Sequence, residues 1–253
     1  MKVPDEGRIG VEEDLFLLCL RHWDLFSSFH YSTYSSTKLK TWSEPGKRRL
    51  KLLFAQMGIH LDQATKKYVY MDSSIKTRLL SDLKDVAPKY GLEDITFRSF
   101  QLSHGYRYNL SAADLVYGVT ALLEAPVEDA AEQQQQQHDS FFTALTAMSL
   151  VGWEEVQRGM DMAIRLQQAI INLGSQALRR TGAGSVETHG KLKRRGQFYS
   201  LTLPPQVSTA DAALVAHPLA LQRLVYFIKD AQRVRPHSED GGWGMGDGEW
   251  GMG

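Results

Sequence analysis

Cysteine is almost missing from this 253-residue chain: Cys19 stands alone. One thiol can form neither an internal disulfide nor a cysteine-built zinc site, which suits a reducing cytosol or nucleus. Net charge is missing too. With 29 acidic and 29 basic residues, no molecule-wide field draws in DNA or an anionic membrane, so any nucleic-acid contact must come from a local patch. No apolar run approaches the roughly 20 residues that span a bilayer. The opening "MKVPDEGRIGVEED" lacks the apolar core of a signal peptide. The chain reads as soluble and intracellular, with room for one or two domains.

Catalytic patterns are lacking as well. "GK" at Gly46-Lys47 is no phosphate loop, because Thr41 stands where the first glycine belongs and Arg48 replaces the required Ser or Thr. Gly182-Ala-Gly184 has Glu187 in place of the third glycine of a dinucleotide loop. There is no Gly-x-Ser-x-Gly elbow, and Cys19, read as part of an apolar helix face, is a poor nucleophile. The eight histidines never form His-Glu-x-x-His, and His138-Asp139 has no second ligand at a useful spacing. His22 and His104 lie among aromatics and read as packed or capping residues. No cofactor, metal or catalytic residue is assigned.

Helical periodicity is what the chain does have. Leu15, Leu18, Cys19, Trp23, Phe26 and Phe29 recur at close to helical spacing between Val11 and Tyr34, with Glu12, Glu13 and Asp14 acidic at the start. Leu50, Leu53, Phe54 and Met57 form the apolar face of a second helix, with Ser43 as N-cap, Pro45 in its first turn and Gly58 ending it. Leu61 to Met71 is shorter and less regular. Ser73 to Ala87 puts Ile75, Leu79, Leu83 and Val86 on one face. The pattern then alternates about a "SHG" turn, predicting a hairpin from about Ile95 to Leu110. Ser111 caps a following helix. "APVEDAAEQQQQQHD" cannot bury a core and reads as a Gln-rich acidic linker, residues 126–139. "FFTALTAMS", Trp153 to Leu178 and the Pro218-led "HPLALQRLVYFIKDA" read as helices, and Gln197 to Leu203 as a strand. The Gly/Trp/Met tail repeats "GWGMG" and "EWGMG" and reads as disordered.

Two basic clusters stand out. Lys47, Arg48, Arg49 and Lys51 crowd the start of the second helix, where each costs roughly 0.3–1 kcal/mol if uncompensated. Arg48 points away from the apolar face, Arg49 and Lys51 flank it on opposite sides, and Leu52 projects outward beside Arg48. A solvated face, an acidic partner and DNA all remain open readings. Arg179-Arg180, ten further residues and "KLKRR" match bipartite import spacing, with Arg179, Arg180, Lys191, Lys193, Arg194 and Arg195 as the candidate signal; a basic loop beside a strand is the plain alternative.

"EEDLFLLCLRHWDLFSS", "YSTYSSTKLKTWSEPGKRRLKLLFAQMGIHLDQ", "FRSFQLSHGYRYNLSAADLVYGVTALLE", "FFTALTAMS" and "GMDMAIRLQQAI", with weaker "FYSLTLPP" and "AHPLALQRLVYFI", together resemble the cell division control protein 45 family of replicative-helicase cofactors. No single motif is diagnostic; their order and combined length carry the resemblance. It implies a DNA replication factor, non-catalytic and nuclear, that joins the minichromosome-maintenance hexamer and GINS, with DNA polymerase and single-stranded DNA as further candidate partners and no membrane. It also implies a partial chain, without the family's N-terminal domain related to DHH phosphoesterases and without the end of its C-terminal α/β domain. A stand-alone single-stranded nucleic-acid-binding module is the alternative.

The expected fold is α+β and predominantly helical. It divides into a flexible start (1–10), a helical interaction region with the hairpin (11–125), the linker (126–139), helices with one strand and the start of a C-terminal α/β domain (140–230), and the tail (231–253).

Overall fold

The computed structural model describes residues 8–104, 108–124, 133–149, 152–178, 191–195, 198–202 and 209–233. It opens with a strand, β1 (Arg8–Leu15), where the sequence periodicity suggests helix from Val11 and a flexible start through residue 10. Glu12, Glu13 and Asp14 imitate the acidic first turn of a helix. Their true partner is a ladder nearly 90 residues away, which local spacing cannot display. Cys19 accordingly lies on no helix face: it sits in left-handed backbone, φ 44°, ahead of a 3-10 turn at Leu20–His22.

Short helices follow. Asp24 caps α1 (Leu25–Tyr31) by accepting from the Ser27 N–H, and α2 (Thr33–Leu39) ends on left-handed Lys40. Helix α3 (Glu44–Gln56) carries the expected cap, with the Gly46 N–H donating to Ser43 Oγ at 3.1 Å, and left-handed Gly58 turns the chain after it. Helix α4 (Leu61–Ala64) is a single turn; α5 (Ser73–Val86) buries Ile75, Leu79, Leu83 and Val86 as its spacing predicts.

The hairpin is present as β2 (Thr96–His104) and β3 (Tyr108–Ser111), and β1 adds to it antiparallel, so the sheet order is β1-β2-β3. Its register runs from Arg8 opposite Ser103 to Leu15 opposite Thr96. The usual burial alternation is reversed over much of this sheet. Ile9, Val11 and Phe100 are exposed, while Asp14, Ser99 and Gln101 are buried.

Ser111 caps α6 (Ala112–Leu123), accepting from the Asp114 N–H at 3.1 Å. Helix α7 (Gln133–Met148) begins inside the segment read as a linker. Glutamine is a good helix former, and Ala144 and Ala147 anchor the later turns, so the helix extends back through the tract. Residues 126–132 lie outside the described residues. Helix α8 (Trp153–Leu178), about 39 Å long at 1.5 Å per residue, matches its predicted span. The pair β4 (Lys191–Arg195) and β5 (Phe198–Thr202), then α9 (Thr209–Val215) and α10 (Pro218–Arg233), complete the described chain. Helix α10 runs past residue 230, so the expected tail begins no earlier than residue 234; that stretch lies outside the described residues.

Three apolar clusters hold these elements. Phe29, Leu50, Leu53, Phe54, Leu83 and Ile95 lie in the first, among β1, α1 to α5 and the turn before β2. Leu18, Cys19, Leu110, Leu122, Ala147, Val156 and Met160 form another, joining α6, α7 and the first half of α8. The last joins the second half of α8 to α9 and α10 through Ile170, Ile171, Leu224 and Phe227. Packing therefore crosses the 126–139 segment, with residues from both sides in one cluster. Gln167 of α8 reinforces the crossing, donating to the Tyr31 carbonyl and to Thr33 Oγ1, both at 2.9 Å.

Candidate interaction surfaces

The cations of α3 have different fates. The helix starts at Glu44, so Lys47, Arg48 and Arg49 lie beyond the first three helical residues. The macrodipole acts mainly within the first turn, so the penalty expected from sequence is largely absent. Glu44 supplies the favourable charge there, and Lys47 Nζ donates to Glu44 Oε1 at 3.0 Å. That hydrogen bond, then the Lys47 charge, holds the Glu44 carboxyl below its ordinary pKa. Arg49 donates to the Tyr90 carbonyl at 3.4 Å, tying α3 to the turn after α5.

Arg48 and Lys51 are exposed, with no ion pair or hydrogen bond among the described residues. Leu52 is 57% exposed. Lys51 also walls a groove of about 350 Å³ whose lining includes Phe54, Ala55, Ile59 and Leu61. Three of the five residues singled out, Arg48, Lys51 and Leu52, thus form an outward cationic and apolar surface. The other two are engaged in the frame.

The import candidates divide differently. Lys191 to Arg195 form β4, paired antiparallel with β5, whereas the sequence reading treats them as a cluster on a flexible connector. Arg179 and Arg180 lie outside the described residues.

Sequence reasoning missed a buried polar cluster at the junction of β1, the Leu20–His22 turn and α6. Asp14 Oδ1 accepts from the Leu15 N–H at 2.9 Å and from Arg21 Nη1 at 3.0 Å, and its Oδ2 accepts from Gln101 Nε2 at 3.2 Å. Asp114 Oδ2 lies 3.9 Å from the same Arg21 nitrogen and has no hydrogen-bond partner. Burial, more than the neighbouring charges, raises the Asp114 pKa to about 7. Burial and then the Asp114 charge raise the Cys19 thiol well above its usual value, keeping it protonated and unreactive. Near it, burial lowers His22 to about 4, seconded by Arg21. The only signal in sequence is Ser111 followed three residues on by Asp114, which reads as an ordinary cap.

A groove of about 830 Å³ runs beside α2 and α10, adjoining a pocket of about 170 Å³ that shares Ser32, Thr33 and Tyr117 with it. Its hydroxyls serve the frame. Ser32 Oγ accepts from the Leu18 N–H at 2.6 Å, Thr33 Oγ1 from Gln167, and the Tyr34 hydroxyl from the Asp94 N–H at 3.0 Å. Beside the pocket, Arg223 Nη2 donates to both carboxylate oxygens of Glu124 at 2.5 Å, an ion pair that ties the end of α6 to α10. Among the described residues, no group of three His, Cys, Asp or Glu side chains converges as a metal set, and no helix is long and apolar enough to cross a membrane.

The CDC45 family model matches residues 1–243. The cell division control protein 45 homolog of Schizosaccharomyces pombe is 31% identical, the alignment covering 91% of this chain and 38% of the relative. Cell division control protein 45 of Saccharomyces cerevisiae is 32% identical over 88% of this chain and 37% of the relative. The chain therefore spans less than two fifths of either relative. The crystal structure of CDC45 from Entamoeba histolytica superimposes with a TM-score of 0.67 at 23% identity, covering 92% of this chain and 42% of that one, which establishes a shared fold. The chain belongs to the CDC45 family of DNA replication factors.

Proposed function

We propose that this chain serves DNA replication in the nucleus as a non-catalytic scaffold, joining the minichromosome-maintenance hexamer and GINS in the replicative helicase. The family match over residues 1–243 carries this reading. The disposition of α3 supports it: Arg48, Lys51 and Leu52 face outward with no role in the chain's own packing, as a partner-binding surface requires. The hydroxyls that line the large groove, Ser32, Thr33 and Tyr34, are committed to backbone and helix-to-helix bonds. DNA polymerase and single-stranded DNA are further partners in this reading. Import through Arg179, Arg180 and Lys191 to Arg195 would deliver the chain to its site of action, and unchanged nuclear accumulation after deletion of Lys191 to Arg195 would remove that element.

The deciding experiment is co-purification of the full-length factor with the hexamer and GINS, comparing wild type with the Arg48→Glu/Lys51→Glu variant. The expected result is a several-fold loss of recovered hexamer with normal folding of the factor. Unchanged recovery would return α3 to a solvated face, and failure of the wild type to co-purify would remove the scaffold reading.

The exposed Arg48 and Lys51 also keep a second reading in place, a single-stranded nucleic-acid-binding module. It requires affinity for short single strands that falls steeply with salt; absent or salt-insensitive binding removes it.

A further inference from the structure

Strand β1 lies at one end of its sheet. The Phe16 N–H donates to the Ile95 carbonyl at 2.8 Å, extending the β1–β2 register by one residue. In an antiparallel ladder, opposed residues alternate between bonded and non-bonded pairs. Stepping back two residues at a time, Asp14, Glu12 and Gly10 direct their backbone groups at β2, while Glu13, Val11 and Ile9 direct theirs outward. No other described backbone segment bonds to that outer edge. The same stretch exposes 65% of Ile9 and 51% of Val11, beside Phe100 at 62%.

We propose that β1 pairs with the β1 of a second copy of this chain, antiparallel about a two-fold axis at Gly10. In this register the outward N–H and C=O groups of Ile9 in one copy meet those of Val11 in the other, and the reverse, so the ladder closes on itself. Gly10 faces Gly10, where a Cβ would meet nothing within 4 Å and leaves the approach clear.

Charge selects the partner. Arg8 of each copy stands opposite Glu12 of the other, and both residues are exposed and without an ion pair among the described residues. Ile9 and Val11 meet across the ladder on the apolar side, continuous with Phe100. The neighbouring two-fold register, centred on Val11, is disfavoured because it sets Ile9 against Glu13, which Lys84 already holds at 2.5 Å. The chosen register stops short of that ion pair. A five-residue ladder covers less surface than a standard interface, so the dimer is a weak, concentration-dependent one.

Sedimentation velocity of the chain through the micromolar range tests this. The expected result is a sedimentation coefficient that rises with concentration toward that of a dimer. Arg8→Glu alone and Glu12→Arg alone each place like charges opposite each other twice, and each should weaken dimerisation roughly tenfold. The Arg8→Glu/Glu12→Arg double variant restores both opposite-charge pairs and should restore the dimer. These two side chains are exposed, so matched circular dichroism spectra are expected and separate loss of pairing from loss of fold. A wild type that stays monomeric throughout overturns the proposal, as does a dimer indifferent to both single reversals. Protection of the β1 amides only by another protein's strand would assign the edge to a different partner and overturn it as well.

Discussion

At the scale of single residues, the buried junction around Arg21 carries two opposed pH responses. Asp114 is raised on folding from its ordinary 3.8 to about 7, chiefly by burial. Its folded form holds a proton that the unfolded chain has released, so its contribution to stability falls as pH rises through that window. His22 is lowered from 6.5 to about 4, again chiefly by burial. There the unfolded chain holds the extra proton, so stability rises with pH over its own window. Between about pH 4 and 6.5 the two trends largely cancel; from about 6.5 to 7 only Asp114 acts. Urea midpoints measured in pH steps isolate these two groups when each variant is read as a difference from wild type, because Asp24, raised by burial, and His30, lowered by burial, contribute equally to all three proteins. Relative to wild type, His22→Asn should lose a rise from about pH 4 to 6.5, and Asp114→Asn should lose a decline from about 3.8 to 7. Profiles parallel to wild type in both variants would show that these groups do not titrate as the junction requires.

At the scale of elements, the close crossing of α6 and α8 depends on two glycines. A Cβ on Gly159 of α8 would lie 2.6 Å from the Gly118 carbonyl oxygen of α6, whereas one on Gly118 would meet its nearest atom at 3.2 Å. Gly159→Ala must push the two backbones apart and is expected to cost about 1–3 kcal/mol. Gly118→Ala should cost less, because its neighbours need yield by only a few tenths of an ångström; thermal melts of the two variants side by side check the order. A cap gives a smaller effect: Ser43→Ala removes the acceptor for the Gly46 N–H and should lower stability by about 1 kcal/mol, read by the same melts.

Elements of this kind were legible where the information is local. Ser43, Gly58 and the Leu50, Leu53, Phe54 and Met57 face define α3 completely, and Ile75 to Val86 define α5. Strand β1 was not legible, because acidic Glu12 to Asp14 followed by Leu15, Leu18 and Cys19 satisfy a helical period by coincidence. Only pairing with Thr96 to Ser103 reveals the strand. The surface reading divided in the same way. That Arg48 and Leu52 point outward follows from helical spacing, but the engagement of Arg49 by Tyr90 is a contact across 41 positions that no spacing encodes.

At the scale of the whole molecule, several long-range contacts cross the stretch that reads as a linker. Glu124 is buried at the end of α6, where its charge is unfavourable to the helix dipole, and Arg223 of α10 is its ion-pair partner. Removing only the cation by Arg223→Met strands a buried carboxylate and should cost about 3–5 kcal/mol, while Glu124→Leu with Arg223→Met should cost less than the single change. Chemical denaturation of the three proteins distinguishes these outcomes. With this ion pair, Gln167 on Tyr31 and Thr33, and the Gly118–Gly159 crossing, the two sides of the 126–132 stretch are joined at separate points of the fold. Covalent continuity through that stretch is then not what keeps the halves together. A protease that cuts there should give two bands on a denaturing gel but a single peak, at the uncut position, on a sizing column.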